Sequence, residues 1–364
     1  MAGHGITRVA DVTDLDVLGI PVVMVIRPLG RTLSVAQGKG VTLVDARASG
    51  VMEAIECDVA ERWTPPVRRG TRQGVGGRSL DPVSIGAAHG AGNAQLEWVV
   101  GEDLVTGEPV HVPLEPCRLD AVLTEVPRRF AQDSNGLAGG ATVVDATIHA
   151  LCELLERDAR AQADAQTAPV IDPAALADPE LDRMLGACAR AGVDAELVDL
   201  TGAARIPVVG ARLVDRGLGR LPPLRDMRGH GCHPVPAAAV RRALTEAAQS
   251  RLTVIAGSRD DLDPRHWLPP RDLPVRVPRP GHMPPAAPLA ADLAGTVALL
   301  VAAARRAGAT EVVRVRMSPP GHPAAVVRVL APGLAGMAAV TRVEGGPAGR
   351  VPAEPADGHR GDVR

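Results

Sequence analysis

Residues 133–160 read DSNGLAGGATVVDATIHALCELLERDAR. A glycine-bearing run, 136–140, leads into apolar residues that recur at helical spacing, which predicts a helix over 143–163. Within it Asp145, His149, Glu153 and Glu156 stand at steps of four, four and three. At about 100° per residue these side chains fall within roughly 80° of one another. A face that carries three acids and a histidine needs a physical reason.

The pattern occurs more than once. Laid without a gap, residues 40–58 (GVTLVDARASGVMEAIECD) and 140–158 (GATVVDATIHALCELLERD) share eight of nineteen positions, pairing Asp45 with Asp145, Glu53 with Glu153 and Glu56 with Glu156. A weaker third copy ends in ALTEAAQSR, where Glu246 and Gln249 keep the spacing of three. Repeated units usually share a core and stack as equivalent elements, so the stripes are expected to face one space. A lone Glu pair three apart is ordinarily a solvated helix face. Repetition argues against that here, and the acids are read as lacking basic partners one turn on. Converging carboxylates repel one another unless cations neutralise them, and hard oxygen ligands of this kind suit Mg2+ with its water and phosphate shell. Glu53, Glu56, Glu153 and Glu156 are the candidate metal ligands, and the implied ligand is a magnesium nucleotide.

The groups that a nucleotide needs lie beside the stripes. Gly38-Lys39-Gly40 precedes the first helix, offering an ammonium for phosphate and glycines that let backbone approach closely. Arg157 follows Glu156, and Arg251 follows Glu246 and Gln249; both supply guanidinium groups for phosphate charge. Neither GxxxxGK[ST] nor GxGxxG is present, which excludes a P-loop and a dinucleotide fingerprint.

Composition narrows the class. With 364 residues and 46% hydrophobic content the chain can bury a large core. Its net charge of −2, from 40 basic and 42 acidic residues interspersed, gives no footprint for nucleic acid or anionic lipid. One Phe, three Trp and no Tyr argue against base-stacking platforms. The apolar run 20–26 is too short to span a bilayer and lacks a charged leader, so a cytoplasmic strand is expected there. Cys57, Cys117, Cys152, Cys188 and Cys232 are odd in number and form no CxxC, which argues against a disulfide framework or zinc site. Cys152, between Leu151 and Leu154 in a helical pattern, reads as a small buried apolar residue rather than a nucleophile.

Along the chain, strands are predicted over 20–27, 96–100, 109–112, 196–200, 208–214, 311–317 and 325–330, and helices over 43–60, 143–163, 181–191, 240–255 and 293–307. Strand and helix patterns thus alternate along the chain. The proline-rich segment 263–288 reads as an extended surface connector, and 345–364 as a disordered tail.

Three blocks together resemble the YcaO superfamily of ATP-dependent peptide-modifying enzymes: SVAQGKGVTLVDARASGVMEAIE, SNGLAGGATVVDATIHALCELLERDA and GHGCHPVPAAAVRRALTEAAQSRLTVIAGSRDD. The likeness covers roughly residues 20–334. It implies one YcaO-like domain over 1–344, with repeat units near 20–130, 131–225 and 226–344. It also implies an α/β (α+β) fold of repeated helix-on-sheet units around a site in which acids from several helices bind Mg2+ and ATP. Such enzymes phosphorylate the oxygen of a backbone amide after a nucleophile has added to its carbon. Matched motif by motif, Lys39, Ser49, Glu53, Glu56, Asp145, Glu153, Glu156, Arg157, Gln249 and Arg251 fall on the family's ATP-binding positions. His149 lies on the stripe, set either to contact nucleotide or to orient a glutamate. The catalytic residues are unassigned.

Departures from the family pattern are Ala141 and Asp145 in place of asparagine and glutamate, and Pro332-Gly333-Leu334-Ala335 in place of PGLE. The chain ends in PADGHRGDVR without a PxPxP tail, and resembles a stand-alone member that works with a separate protein. RPLGRTLSVAQGKG is similar to members paired with a TfuA-like partner, which implies thioamide formation on a ribosomal precursor peptide. The alternatives are azoline-forming cyclodehydration and a catalytically silent scaffold, and a homodimer is a further expectation.

Overall fold

The computed structural model describes residues 2–87, 91–122, 128–216, 224, 226–259, 275–288 and 290–335. Strands β1 (Arg8–Asp11), β2 (Val22–Ile26) and β3 (Val35–Lys39) form a three-stranded sheet against which α1 (Leu43–Arg62) packs. Next come β4 (Arg68–Gly70), β5 (Leu96–Asp103), β6 (Pro109–Pro113), β7 (Leu137–Gly140), α2 (Val143–Gln162) and α3 (Pro179–Arg190). Strands β8 (Val193–Asp199), β9 (Val208–Asp215) and β10 (Met227–Cys232) make a second three-stranded sheet, covered by α4 (Pro236–Ala256). Finally α5 (Leu293–Ala307), β11 (Val313–Arg316) and β12 (Ala325–Leu330) close the largest sheet, in the order β4-β5-β11-β12-β7 with β6 also on β5. All pairings between these strands are antiparallel, which makes the fold α+β.

The predicted helices are present within a few residues of their expected ends, but sequence periodicity missed β3, β7 and β10, the strands that matter most. Their sequences, VAQGK, LAGG and MRGHGC, are rich in glycine, which strands ordinarily avoid. Packing explains the choice. A Cβ on Gly38 would sit 2.0 Å from the carbonyl oxygen of Ala46, and one on Gly229 would sit 2.2 Å from the amide nitrogen of Ala247. Each helix folds back directly onto the strand that precedes it, at a distance only glycine permits. The close backbone approach read at Gly38 is thus to α1.

The turns are set by local chemistry. Thr42 and Thr142 cap α1 and α2: each hydroxyl accepts from the amide of Asp45 or Asp145, at 3.2 and 3.1 Å, and each carboxylate accepts from the threonine amide at 3.1 Å. The repeated aspartate is therefore a capping-box residue. Three units, β3–α1, β7–α2 and β10–α4, result. They close on one another, since α1 touches β7, α2 touches β10 and α4 touches β3. A ring of this kind turns the equivalent faces of three helices toward one centre.

One core lies between α2, α5 and the large sheet, around Leu151, Leu155, Leu300, Val327 and Val329; another lies under α4, around Leu197, Leu213, Val240 and Leu244. The described part of the connector, 275–288, has neither helix nor strand, as read. Arg276 holds it down through Glu196 and the carbonyls of Ala165, Gln166 and Ala168. Residues 263–274 and the tail 345–364 lie outside the described residues. Among the described residues no helix is long and apolar enough to cross a membrane.

Candidate nucleotide and metal cleft

At the centre of the ring is a cleft of about 1580 Å³. Lys39 enters it from the end of β3, Ser49, Glu53 and Glu56 from α1, and Asp145, His149, Glu153, Glu156 and Arg157 from α2. Gln249 and Glu246 reach it from α4. Cross-links between units fix the acids. Glu56 accepts the Gly139 amide of β7 at 2.7 Å. Lys39 donates to Glu246 of α4 at 2.8 Å, and the other oxygen of Glu246 accepts the amide of His230 on β10 at 3.2 Å.

Arg251 is not at the cleft. Its buried side chain, 3% exposed, donates through Nε and Nη2 to the carboxylate of Asp16, both at 2.9 Å. Five residues beyond Glu246 is about 140° around a helix, so a residue that follows the stripe closely in sequence faces away from it. Asp145 lines the cleft, but its carboxylate is engaged by the Thr142 cap. The expectation that the acids lack basic partners fails on α2, where Arg157 meets Glu153 at 2.6 Å and Arg160 stands 3.8 Å from Glu156. Arg157 also donates to Asn135. Among the described residues His149 orients no glutamate: its Nδ1 donates to the Gly139 carbonyl at 3.1 Å, and burial lowers its pKa.

The electrostatics are those of a site short of positive charge. Burial raises the pKa of Glu53, and it raises Glu56 well above the ordinary carboxyl range with help from Glu53 and Glu153. Glu153 is raised by burial against the opposing pull of Arg157. Glu156 is pushed up to about 7 by burial and by Glu246. Glu246 is itself held low: burial opposes its charge, but Lys39 outweighs that cost. Burial, with Arg160 nearby, lowers His230 to about 4, so it is neutral and able to ligate. Each raised carboxyl is one that a cation would deprotonate.

Glu156, His230 and Glu246 have ligand atoms within 4.8 Å of one another, the one such group among the described residues. Glu53, Glu56 and Glu153 face the same cleft but stand outside it. The tightest cluster thus draws one residue from each of α2, β10 and α4, rather than two from each of α1 and α2. Sequence reading noted Glu246 without placing it at the site, and it missed His230. Its only signal was a polar residue between two glycines of an unrecognised strand.

Residues 37–335 match the family described as YcaO cyclodehydratase, ATP- and Mg2+-binding. The chain belongs to the YcaO family. This YcaO protein is 37% identical to an uncharacterised protein encoded in the tfuA 3′ region of Rhizobium leguminosarum bv. trifolii, over 91% of the chain and 84% of that protein. It is also 37% identical to a Methanothermobacter thermautotrophicus protein, over 71% of the chain and 68% of the relative. Among solved structures, a heterocyclase described in complex with substrate and cofactor superposes with a TM-score of 0.72 at 22% identity, covering 90% of this chain and half of that longer one. YcaO from Methanopyrus kandleri, bound with AMPPCP and Mg2+, gives a TM-score of 0.69 at 24% identity, covering 92% and 87%. These structures share the fold.

The residues of this YcaO protein fit the groups its family binds. Buried carboxyls with raised pKa values, a neutral histidine and Lys39 form an oxygen-rich donor set with a cation deficit.

Proposed function

We propose that this protein uses Mg2+ and ATP to activate a backbone amide of a ribosomally made peptide and, with a TfuA-like partner, exchanges the amide oxygen for sulfur. The observation that carries the reading is the convergence of Glu56, Glu156 and Glu246 from three helices, with Lys39, on one cleft. The tfuA-region relative supports the thioamide branch over the azoline one. ATP would supply the phosphoryl group that turns the amide oxygen into a leaving group: sulfide adds to the carbonyl carbon, the oxygen takes the γ-phosphoryl with release of ADP, and phosphate departs as the C=S bond forms.

The chain's own contribution is placement and charge. Glu156, Glu246 and His230, with Glu53, Glu56 and Glu153 around them, would hold Mg2+. Lys39 would meet phosphate charge, as would Arg157. A cleft of about 1580 Å³ exceeds the roughly 300–1,000 Å³ of common small-ligand pockets, which leaves space for a peptide segment beside a nucleotide. Function within the cytoplasm belongs to the same proposal.

Intact mass of a candidate precursor peptide, co-expressed with this protein and a TfuA-like protein, tests the reading. Oxygen-to-sulfur exchange raises the mass. Loss of water would indicate an azoline instead, and an unmodified peptide without peptide-dependent ADP release would indicate a silent scaffold.

A further inference from the structure

Beside Lys39 the cleft extends as an arm between β3 and α4. Val35, Gln37 and Lys39 alternate onto one face of β3, and Glu246, Gln249 and Thr253, at steps of three and four, share one face of α4. The strand and the helix touch, and Gln37, Lys39, Glu246, Gln249 and Thr253 all line the cleft. Two side-chain links join the walls. Lys39 donates to Glu246 at 2.8 Å beside the metal cluster. Farther along, the Thr253 hydroxyl donates to Gln37 Oε1 and lies 2.8 Å from the Gln249 carbonyl oxygen. One polar atom is left over: Gln37 is 1% exposed, and its Nε2 has no hydrogen-bond partner among the described residues. A buried donor without an acceptor lowers the stability of the unliganded protein, and an apolar side chain of similar size would not. The Gln249 carboxamide, on the facing wall, also forms no hydrogen bond among the described residues.

We propose that Gln37 and Gln249 hold the ribose of the bound nucleotide, each carboxamide pairing with one hydroxyl of the 2′,3′-diol. The inference rests on the magnesium-nucleotide reading of the cleft. With the phosphate chain at Lys39 and the metal cluster, the nucleoside lies along one of the directions that lead away from them. Arg160 of α2, Arg228 of β10 and Arg242 of α4 line other sides of the cleft, where their charge suits anions. The β3–α4 arm instead presents the uncharged hydrogen-bonding groups of Gln37, Gln249 and Thr253, which suit a neutral sugar. Gln37 stands two residues before Lys39, about 7 Å along the strand, and Thr253 seven residues beyond Glu246, about 10 Å along the helix. That is the scale on which a sugar follows its phosphate chain. A ribose hydroxyl that accepts from Gln37 Nε2 supplies the missing partner and keeps its own proton for a second acceptor. The buried donor also makes the arm selective, because a nucleotide lacking that hydroxyl leaves Nε2 unpaired once water is shut out.

The test is calorimetry of the full-length protein with Mg2+ and a non-hydrolysable ATP analogue, its 2′-deoxy form or its 3′-deoxy form. Wild type is expected to bind each deoxy form about tenfold more weakly than the ribo form. Gln37→Met is expected to abolish the preference for one hydroxyl, and Gln249→Met the preference for the other. Unliganded Gln37→Met is expected to melt at or above the wild-type temperature, since the unpaired donor is gone and the Thr253 hydroxyl keeps the Gln249 carbonyl. Gln37→Ala replaces it should Gln37→Met not fold. Wild type that binds all three probes equally well overturns the inference and leaves the nucleotide reading standing. So does a folded Gln37 variant that keeps both wild-type ratios: lost stability would then make Gln37 structural, and weakened peptide binding would give the arm to the peptide. Wild type that binds none of the three removes the nucleotide reading and this inference with it.

Discussion

Glu156→Gln separates an acid built to bind a cation from one that merely stabilises the fold. The carboxyl titrates near 7 instead of 4.5, and its side chain is 15% exposed. A raised carboxyl favours the folded state below the unfolded value of 4.5, and that contribution is lost as pH rises toward about 7. The difference between 4.5 and about 7 corresponds to about 3 kcal/mol. Glutamine has no such titration. In EDTA, Glu156→Gln should match wild type near the unfolded pKa and gain stability over it as pH rises, by up to about 3 kcal/mol on the alkaline side of 7. Urea unfolding across that pH range measures this. Mg2+ with ATP should then reverse the order, stabilising wild type and not the variant. A variant less stable than wild type at alkaline pH without metal, or a difference that does not change with pH, would refute the reasoning.

Asp145→Ala should cost about 0.5–2 kcal/mol in denaturant unfolding through loss of the capping box, with nucleotide affinity of the folded protein nearly kept. Arg251→Met should cost about 3–5 kcal/mol by stranding Asp16, and its soluble fraction should still bind Mg2+ and nucleotide, since Arg251 lies off the cleft. Gly38→Ala should cost at least the upper part of the about 1–3 kcal/mol of an overpacked core and displace α1, readable as lost thermal stability together with lost nucleotide binding.

Much of this was legible because helices carry a periodic signal. The repeat of Glu53 and Glu56 in Glu153 and Glu156 marked the cleft, and the helical ends came out close. What escaped was the part written in glycine. VAQGK, LAGG and MRGHGC do not alternate like strands, because helix-to-strand contact at Gly38 and Gly229 excludes side chains. With those strands unseen, neither the ring of three units nor His230 could be placed. Neighbours in sequence misled where helical rotation matters: Arg251 follows the stripe but points to Asp16, and Asp145 sits on the stripe but caps the helix. Cys152 was correctly read as small and buried, but its place at the edge of the cleft depends on tertiary structure alone.

The central claim is that three βα units converge their acids to hold a magnesium nucleotide. Calorimetry of a non-hydrolysable ATP analogue, with Mg2+ and with EDTA, on wild type, Glu56→Gln and Glu246→Gln tests it most directly. Mg2+-dependent binding by wild type, with net proton release near neutral pH and a sharp loss in both variants, is the predicted result. Binding that survives EDTA, or that both folded variants retain at wild-type affinity, would contradict it.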